Sequence, residues 1–536
     1  METKSDGIWG RVKPLWPYAL LVFVGVSAYF LTILAIPDKT SATRSTEGVP
    51  VRSSYPEREE PVKFRKAERL KGSRLDYQSM DNGAIPNQRV IAFKDRASLK
   101  AFLAKLGDGV NLLGRLDKLN SLLVGFGNED DLLGLLNGSE ETSFIFPINI
   151  PDFETVGAQD GAVALGNGLL RWLGIDGDNS LWGTGVKVAI LDTGIADHLA
   201  FKNAIQRINL VPLPENPADL NGHGTAVATL IFSDNPFAPG IAPGATPISV
   251  RIADDNGGSN SFLIAQGIVA AVDAGAQLIN ISLGGQGNSS LVDNALAYAQ
   301  ERGAVVVASA GNSGKEGVMQ PAASSSVLAV GAVDANNQHM AFSTTGSEVA
   351  LSAAGYGVNV AYPGDKAAQV SGTSFSTPAV TGTLAATMSN GTSQIITPIA
   401  AVSRMNSNLN DIGNQGNDIQ TGGGVPDMWR IQNTGNSGIY DAAVTSVYTE
   451  DHKIQLLIQN QGTETLVNAA VTVNVNGVPT HANITTLAVG DTRVITVPVS
   501  GTEGLNIQGS VQLSGGQADQ RPSNDSISRT TPTAEP

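Results

Sequence analysis

Five short apolar runs recur along the middle of the chain, at residues 186–191, 248–252, 277–283, 304–310 and 327–333. Each is rich in Val, Ile, Leu and Ala, and together they read as near-continuous apolar runs. A strand of that kind needs cover on both faces, which a parallel sheet flanked by helices provides. The stretches between them, 224–232, 261–274 and 291–302, have the length and apolar spacing of those helices. A doubly wound α/β domain is therefore expected, within bounds of 151–435. In an open sheet of this class, ligands bind beyond the carboxyl ends of the strands.

The flanks read differently. Between 84 and 150 the order is strand 88–94, helix 97–106, strands 110–119 and 122–126, helix 130–136 and strand 142–148, a ferredoxin-like α+β pattern. Beyond residue 440 the helical pattern stops. Runs at 453–458, 470–475, 493–499 and 507–513 mostly alternate in and out, and Asn476-Gly477 supplies a hairpin turn. An immunoglobulin-like β-sandwich is expected over 436–536. Residues 37–83, rich in Ser, Thr, Pro and charge, read as a linker. Residues 15–36 are uncharged and mostly apolar, with Lys4, Arg11 and Lys13 before them. About 20 apolar residues span a bilayer, so this stretch is read as a signal anchor, with a long cleaved signal peptide as the alternative. The preceding cations place residues 1–14 in the cytoplasm and the body outside, with anchor retention after maturation left open. The net charge of -15 argues against nucleic acid as a partner. With no cysteine in the chain, thiol catalysis, disulfides and Cys-ligated zinc are excluded.

Three segments carry chemistry. Asp192 follows the apolar run 186–191 and is turned by Thr193-Gly194. His223 sits in Gly222-His223-Gly224-Thr225, at the start of a helical stretch. Ser374 sits in Gly372-Thr373-Ser374, opening another. A serine hydroxyl is a weak nucleophile that needs an adjacent base; imidazole supplies it, and a carboxylate fixes the imidazole tautomer. The order Asp…His…Ser is a known order of that geometry. The run 304–310 ends in Gly311-Asn312, and an Asn amide there suits an oxyanion donor beside the Ser374 backbone N–H. Taken singly each signal is weak, and His198, His339, His452 and His481 are read as structural. The joint match, in order and in the correct local context, carries the reading.

These segments resemble the subtilisin-like serine peptidases, over roughly residues 170–430. The matching motifs are Asp-Thr-Gly at 192–194, His-Gly-Thr at 223–225, Ser-Leu-Gly-Gly at 282–285, Ala-Gly-Asn at 310–312 and Gly-Thr-Ser-x-x-x-Pro at 372–378. The resemblance implies a subtilisin-like sheet, Asp192, His223 and Ser374 as a triad, and Asn312 as oxyanion donor. It further implies Ser282, Leu283, Gly284, Gly285, Ala308, Ser309, Ala310 and Gly311 as the lining of the specificity pocket. Gly257 and Gly258 would lie on the edge strand that pairs with the substrate backbone. Residues 84–150 would be a propeptide that inhibits in the same chain, cut off between about residues 146 and 168. The expected activity is that of an exported serine endopeptidase made as a self-processing zymogen, acting on peptide or protein; the alternative is an inactive surface adhesin on the same fold. The chemistry requires no cofactor. Family members often hold structural calcium on a loop after the His-bearing helix, but here that stretch, Ser233-Asp-Asn-Pro-Phe-Ala-Pro-Gly240, is short and proline-rich. The acidic turns Asp176-Gly-Asp-Asn179 and Asp254-Asp-Asn-Gly257 are read as solvated, and the metal content stays open.

Overall fold

A computed structural model describes residues 83–531, apart from 108, 151–158, 160, 216–219, 392–393 and 451. The expected anchor at 15–36 and nearly all of the linker at 37–83 lie outside the described residues. Among the described residues no helix is long and apolar enough to cross a membrane. All of them fall in one of the chain's two units, 75–536.

The N-terminal body runs β1 (Gln88–Ala92), α1 (Arg96–Leu103), β2 (Val110–Leu116), β3 (Ser121–Phe126), α2 (Glu129–Leu133) and β4 (Glu141–Ser143). The side chains of Asp95 and Asn128 cap the two helices. The antiparallel sheet has the order β2-β3-β1-β4. On one face Ile91, Leu122 and Val124 pack against Leu99, Phe102 and Leu132. On the other, Val90, Leu116 and Leu123 share a core cluster with Phe262 of the following domain. The strand expected at 142–148 is split. After β4 the chain leaves this sheet, and Pro147–Asn149 forms β5 in another one. Pro147 has no N–H to give a ladder, which suits the first position of a new edge strand.

The central body contains α3 (Leu169–Trp172), β6 (Lys187–Asp192), β7 (Gln206–Asn209), α4 (His223–Phe232), β8 (Thr246–Arg251), β9 (Gly258–Asn260) and α5 (Ser261–Asp273). It continues through β10 (Leu278–Ile281), α6 (Ser290–Glu301), β11 (Val305–Ser309), β12 (Val327–Val333), β13 (Val349–Ala354), β14 (Val358–Tyr362), β15 (Lys366–Val370), α7 (Thr373–Met388) and α8 (Pro398–Asn406). Seven parallel strands form the sheet, in the order β13-β12-β11-β10-β6-β8-β7. The chain order reverses beside β6, a topological switch point of the kind where ligands bind. Separate apolar clusters cover the two faces, one including Val188 and Leu278 and the other Ala189 and Ile279. Every residue of α4 and all 16 of α7 are buried, so these helices carry apolar or small residues all round.

The C-terminal body is made of β16 (Ala442–Glu450), β17 (Lys453–Asn460), β18 (Leu466–Val475), β19 (Val478–Leu487), β20 (Thr492–Pro498), β21 (Asn506–Gln512) and β22 (Ser526–Thr530). Two antiparallel sheets, β16-β17-β20 and β19-β18-β21-β22, bury Val444, Leu456, Val471, Val473 and Ile507 in one cluster. Asn476 and Gly477, both at positive φ, make the two-residue turn between β18 and β19. Arg171 joins this body to the central one by donating to the carbonyls of Val444 (3.1 Å) and Ser526 (2.9 Å). Close by, Arg521 pairs with the buried Asp441 at 3.3 Å and lies over the Trp429 ring. Burial, and secondarily the Asp519 and Asp427 charges, push the Asp441 carboxyl up to about 7 against the pull of Arg521.

Candidate active site

Asp192 is the last residue of β6, at the carboxyl edge of the sheet. It is fully buried, and its Oδ1 accepts the Thr193 N–H at 2.7 Å. His223 opens α4 and is equally buried; its Nδ1 lies 2.9 Å from each Asp192 carboxylate oxygen. The two loops meet this closely only because residue 224 has no side chain. A Cβ on Gly224 would sit 2.3 Å from the Gly194 carbonyl oxygen and 3.1 Å from Asp192 Oδ1.

Ser374 is the second residue of α7 and is almost wholly buried. Its Oγ donates to the Ser282 carbonyl at 2.9 Å, and its own carbonyl accepts from Ser282 Oγ at 2.9 Å. The His223 ring packs against Phe375, next in sequence to Ser374, with centroids 5.7 Å apart. Asn312 follows β11. Its Oδ1 accepts both the backbone N–H (2.9 Å) and the Oγ1 (2.8 Å) of Thr373. With the oxygen so used, the amide NH₂ is the donor presented on the Gly372 side, 3.0 Å from where a Cβ of that glycine would stand. Asp192, His223, Ser374 and Asn312 thus converge from four element ends.

The residues expected around the substrate also come together. β10 and β11 are neighbours, with Ile281 beside Ala308, so Ser282–Leu283–Gly284–Gly285 and Ala308–Ser309–Ala310–Gly311 extend side by side past the sheet edge. Gly257 and Gly258 lie at and just before the start of β9. The groove between them holds part of this same chain. β5 runs antiparallel to β9, pairing Pro147 with Asn260, Ile148 with Ser259 and Asn149 with Gly258. The Ile150 N–H continues the ladder to the Gly257 carbonyl at 3.0 Å. On its other edge Asn149 bridges to Gly284. A side chain at residue 285 would close this lane, since its Cβ would stand 2.5 Å from the Pro147 carbonyl oxygen.

Several residues of the site carry no motif signal. Asn280, a lone carboxamide in the buried strand β10, donates to Ser282 Oγ and accepts from Thr381 Oγ1, both at 2.9 Å. It ties β10 and Ser282 to the helix of Ser374. Arg251, the lone cation of β8, is also fully buried. Buried polar residues inside apolar strands are the informative exceptions, and both could have been noticed on that ground. Among the described residues no group of His, Asp or Glu is arranged to hold a metal ion. Asp254 spends Oδ1 on the N–H groups of Asn256 (3.0 Å) and Gly258 (2.8 Å), closing its own turn.

Residues 183–423 match the sequence model of the Subtilase family. The chain is 40% identical over 210 residues to a thermostable alkaline protease of Halalkalibacterium halodurans, covering 39% of this chain and 58% of that one. Subtilisin Savinase of Lederbergia lenta is 39% identical over 210 residues, 39% of this chain and 78% of the relative. Thermitase of Thermoactinomyces vulgaris is 37% identical over 217 residues, 39% of this chain and 77% of the relative. The match thus spans little more than half of the first relative and over three quarters of the other two.

Proposed function

Because the chain belongs to the subtilase family, we propose that it is a serine endopeptidase made as a self-processing zymogen. Asp192 accepts a hydrogen bond from the Nδ1–H of His223, which fixes the tautomer and leaves Nε2 as the basic nitrogen facing the reaction. His223 draws the proton from Ser374 Oγ as that oxygen attacks the scissile carbonyl, and then passes it to the leaving amine. The Asn312 amide and the Ser374 N–H donate to the oxyanion. Water, activated by the same imidazole, then hydrolyses the acyl-enzyme.

The single observation that best supports this reading is the strand Pro147–Asn149, laid between Gly258 and Gly284, in the same body as the buried Asp192–His223 pair. An extended peptide gains backbone hydrogen bonds on both edges there, independent of its side chains. Residues 84–150 would then be the propeptide, held in its own product's place until cut between about 146 and 168. The C-terminal sheets would form an appended immunoglobulin-like domain. The apolar stretch at 15–36 would hold the precursor to the membrane with its body exported, and release of the anchor would accompany maturation if the cut severs it.

The test is expression of full-length Ser374→Ala beside wild type. The wild-type chain should shorten by loss of the N-terminal segment, while the variant stays full length. A purified variant that still processes itself would remove Ser374 from the role of nucleophile.

A further inference from the structure

Behind the Asp192–His223 pair lies a buried cation that the mechanism above does not use. Arg251 ends β8, in register with Asp192 on one side and Asn209 on the other. Its side chain is wholly excluded from solvent. A guanidinium buried this deeply has to spend its donors on defined acceptors. Arg251 Nη1 donates to the carbonyl of Thr193, the residue after Asp192. Its Nε donates to the Pro212 carbonyl at 3.2 Å, and Nη2 to Asp255 Oδ2 at 2.9 Å. The second oxygen of Asp255 accepts the Asn221 N–H at 3.2 Å, and the Asp255 carbonyl accepts from Asn221 Nδ2 at 3.2 Å. Asn221 Oδ1 in turn accepts the backbone N–H of His223 at 2.9 Å. Thr193 Oγ1 closes the inner side, donating to the Asn221 carbonyl at 3.2 Å and accepting the Gly224 N–H at 3.1 Å.

We propose that Arg251, acting with Asp255, is a positioning residue of the active site: one buried guanidinium holds the Asp192 loop through Thr193 and the His223 loop through Asp255 and Asn221. The hydrogen bonds form a ring that runs Asp192, Thr193, Arg251, Asp255, Asn221, His223 and back to Asp192. The ring contains both Asp192 and His223, so it sets how the imidazole faces its carboxylate. The substrate strand is held separately, because the turn into β9 is closed by Asp254 and not by Asp255. Loss of the ring should therefore lower turnover and spare substrate binding. The inference rests on the peptidase reading of the same site.

The experiment compares wild type, Arg251→Lys, Arg251→Met and Asp255→Asn, each carried to its processed form. It reads kcat and KM on a peptide substrate, the rate of fluorophosphonate labelling of Ser374, and the melting midpoint. Arg251→Met should lower kcat and the labelling rate by about 10- to 100-fold, the scale of a slight misplacement in a catalytic group, with KM nearly unchanged. Arg251→Lys should recover part of the loss, because an ammonium keeps the charge but cannot reach all three acceptors. Asp255→Asn should fall between wild type and Arg251→Met. Wild-type rates in Arg251→Met and Asp255→Asn would overturn the proposal. So would a KM that rises in step with a falling melting midpoint and no recovery by Lys, which is the pattern of general loosening. If Arg251→Met does not fold, Arg251→Lys and Asp255→Asn decide: slowed labelling at constant KM supports the ring, and wild-type rates refute it. A wild-type protein that is not labelled at Ser374 would remove the peptidase reading and this proposal with it; labelling that is equal in all four proteins would remove only the proposal.

Discussion

Ile148→Ala tests the grip of the N-terminal body on the cleft. Ile148 is buried, and together with Ser261, Ile264, Gly287, Ser289, Val292, Gln320 and Pro321 it lines a cavity of only about 10 Å³. The Pro147–Asn149 ladder is made by backbone atoms and survives the substitution. The change deletes three carbons, at about 0.8 kcal/mol each, or about 2.4 kcal/mol in all. At 1.4 kcal/mol per tenfold this weakens the hold of a cleaved but still bound 84–150 segment by about 50-fold. A cavity that fails to collapse would add to that figure. The assay dilutes the processed mixture and follows hydrolysis of a fluorogenic peptide. Activity in Ile148→Ala should emerge at a protein concentration about 50-fold higher than in wild type. Release of activity at the wild-type concentration would refute the claim that this side chain anchors the segment in the cleft.

Three further outcomes are expected. Asn312→Ala should lower kcat by about 10²–10³ with little change in KM, a magnitude carried over from the same loss in subtilisin; steady-state kinetics on a peptide reads it. Asn280→Ala removes one partner each from the hydroxyls of Ser282 and Thr381, which keep their bonds to the Ser374 and Thr377 carbonyls, and should cost about 1–3 kcal/mol in denaturant unfolding with an unchanged m-value. Asp441 sits above the ordinary carboxylate range in the folded chain, so the fold holds a proton that the unfolded chain releases. Its stabilising contribution is full below about pH 4 and is lost as the pH rises to about 7, by roughly 4 kcal/mol at most. The melting midpoint of Asp441→Asn, which cannot titrate, should fall less than that of wild type between pH 5 and 8.

The central sheet was legible because strands covered on both faces are mostly apolar, and 327–333 coincides with β12. The strands that escaped notice break that rule. β13, Val349–Ala354, contains Ser and small Ala residues, and β7, Gln206–Asn209, is a polar edge. In sequence β4 and β5 read as one strand, because an apolar run records burial but not which sheet it joins. In the site, Asp192, His223, Ser374 and Asn312 stand out because each punctuates the end of an element with a residue type that chemistry needs. The ring through Arg251 and Asp255 is silent in sequence. Arg251 reads there as one polar residue in a strand, and Asp255 as part of a solvated turn. Their meaning lies in contacts to Thr193 and Asn221, 58 and 34 residues away in the chain.

The most direct measurement of the central claim is the mapping of a fluorophosphonate adduct on the processed protein by peptide mass spectrometry. The account predicts one adduct, on Ser374, which disappears in Ser374→Ala and slows in Asp192→Asn. An unlabelled protein, or an adduct on another serine that persists in Ser374→Ala, would contradict it.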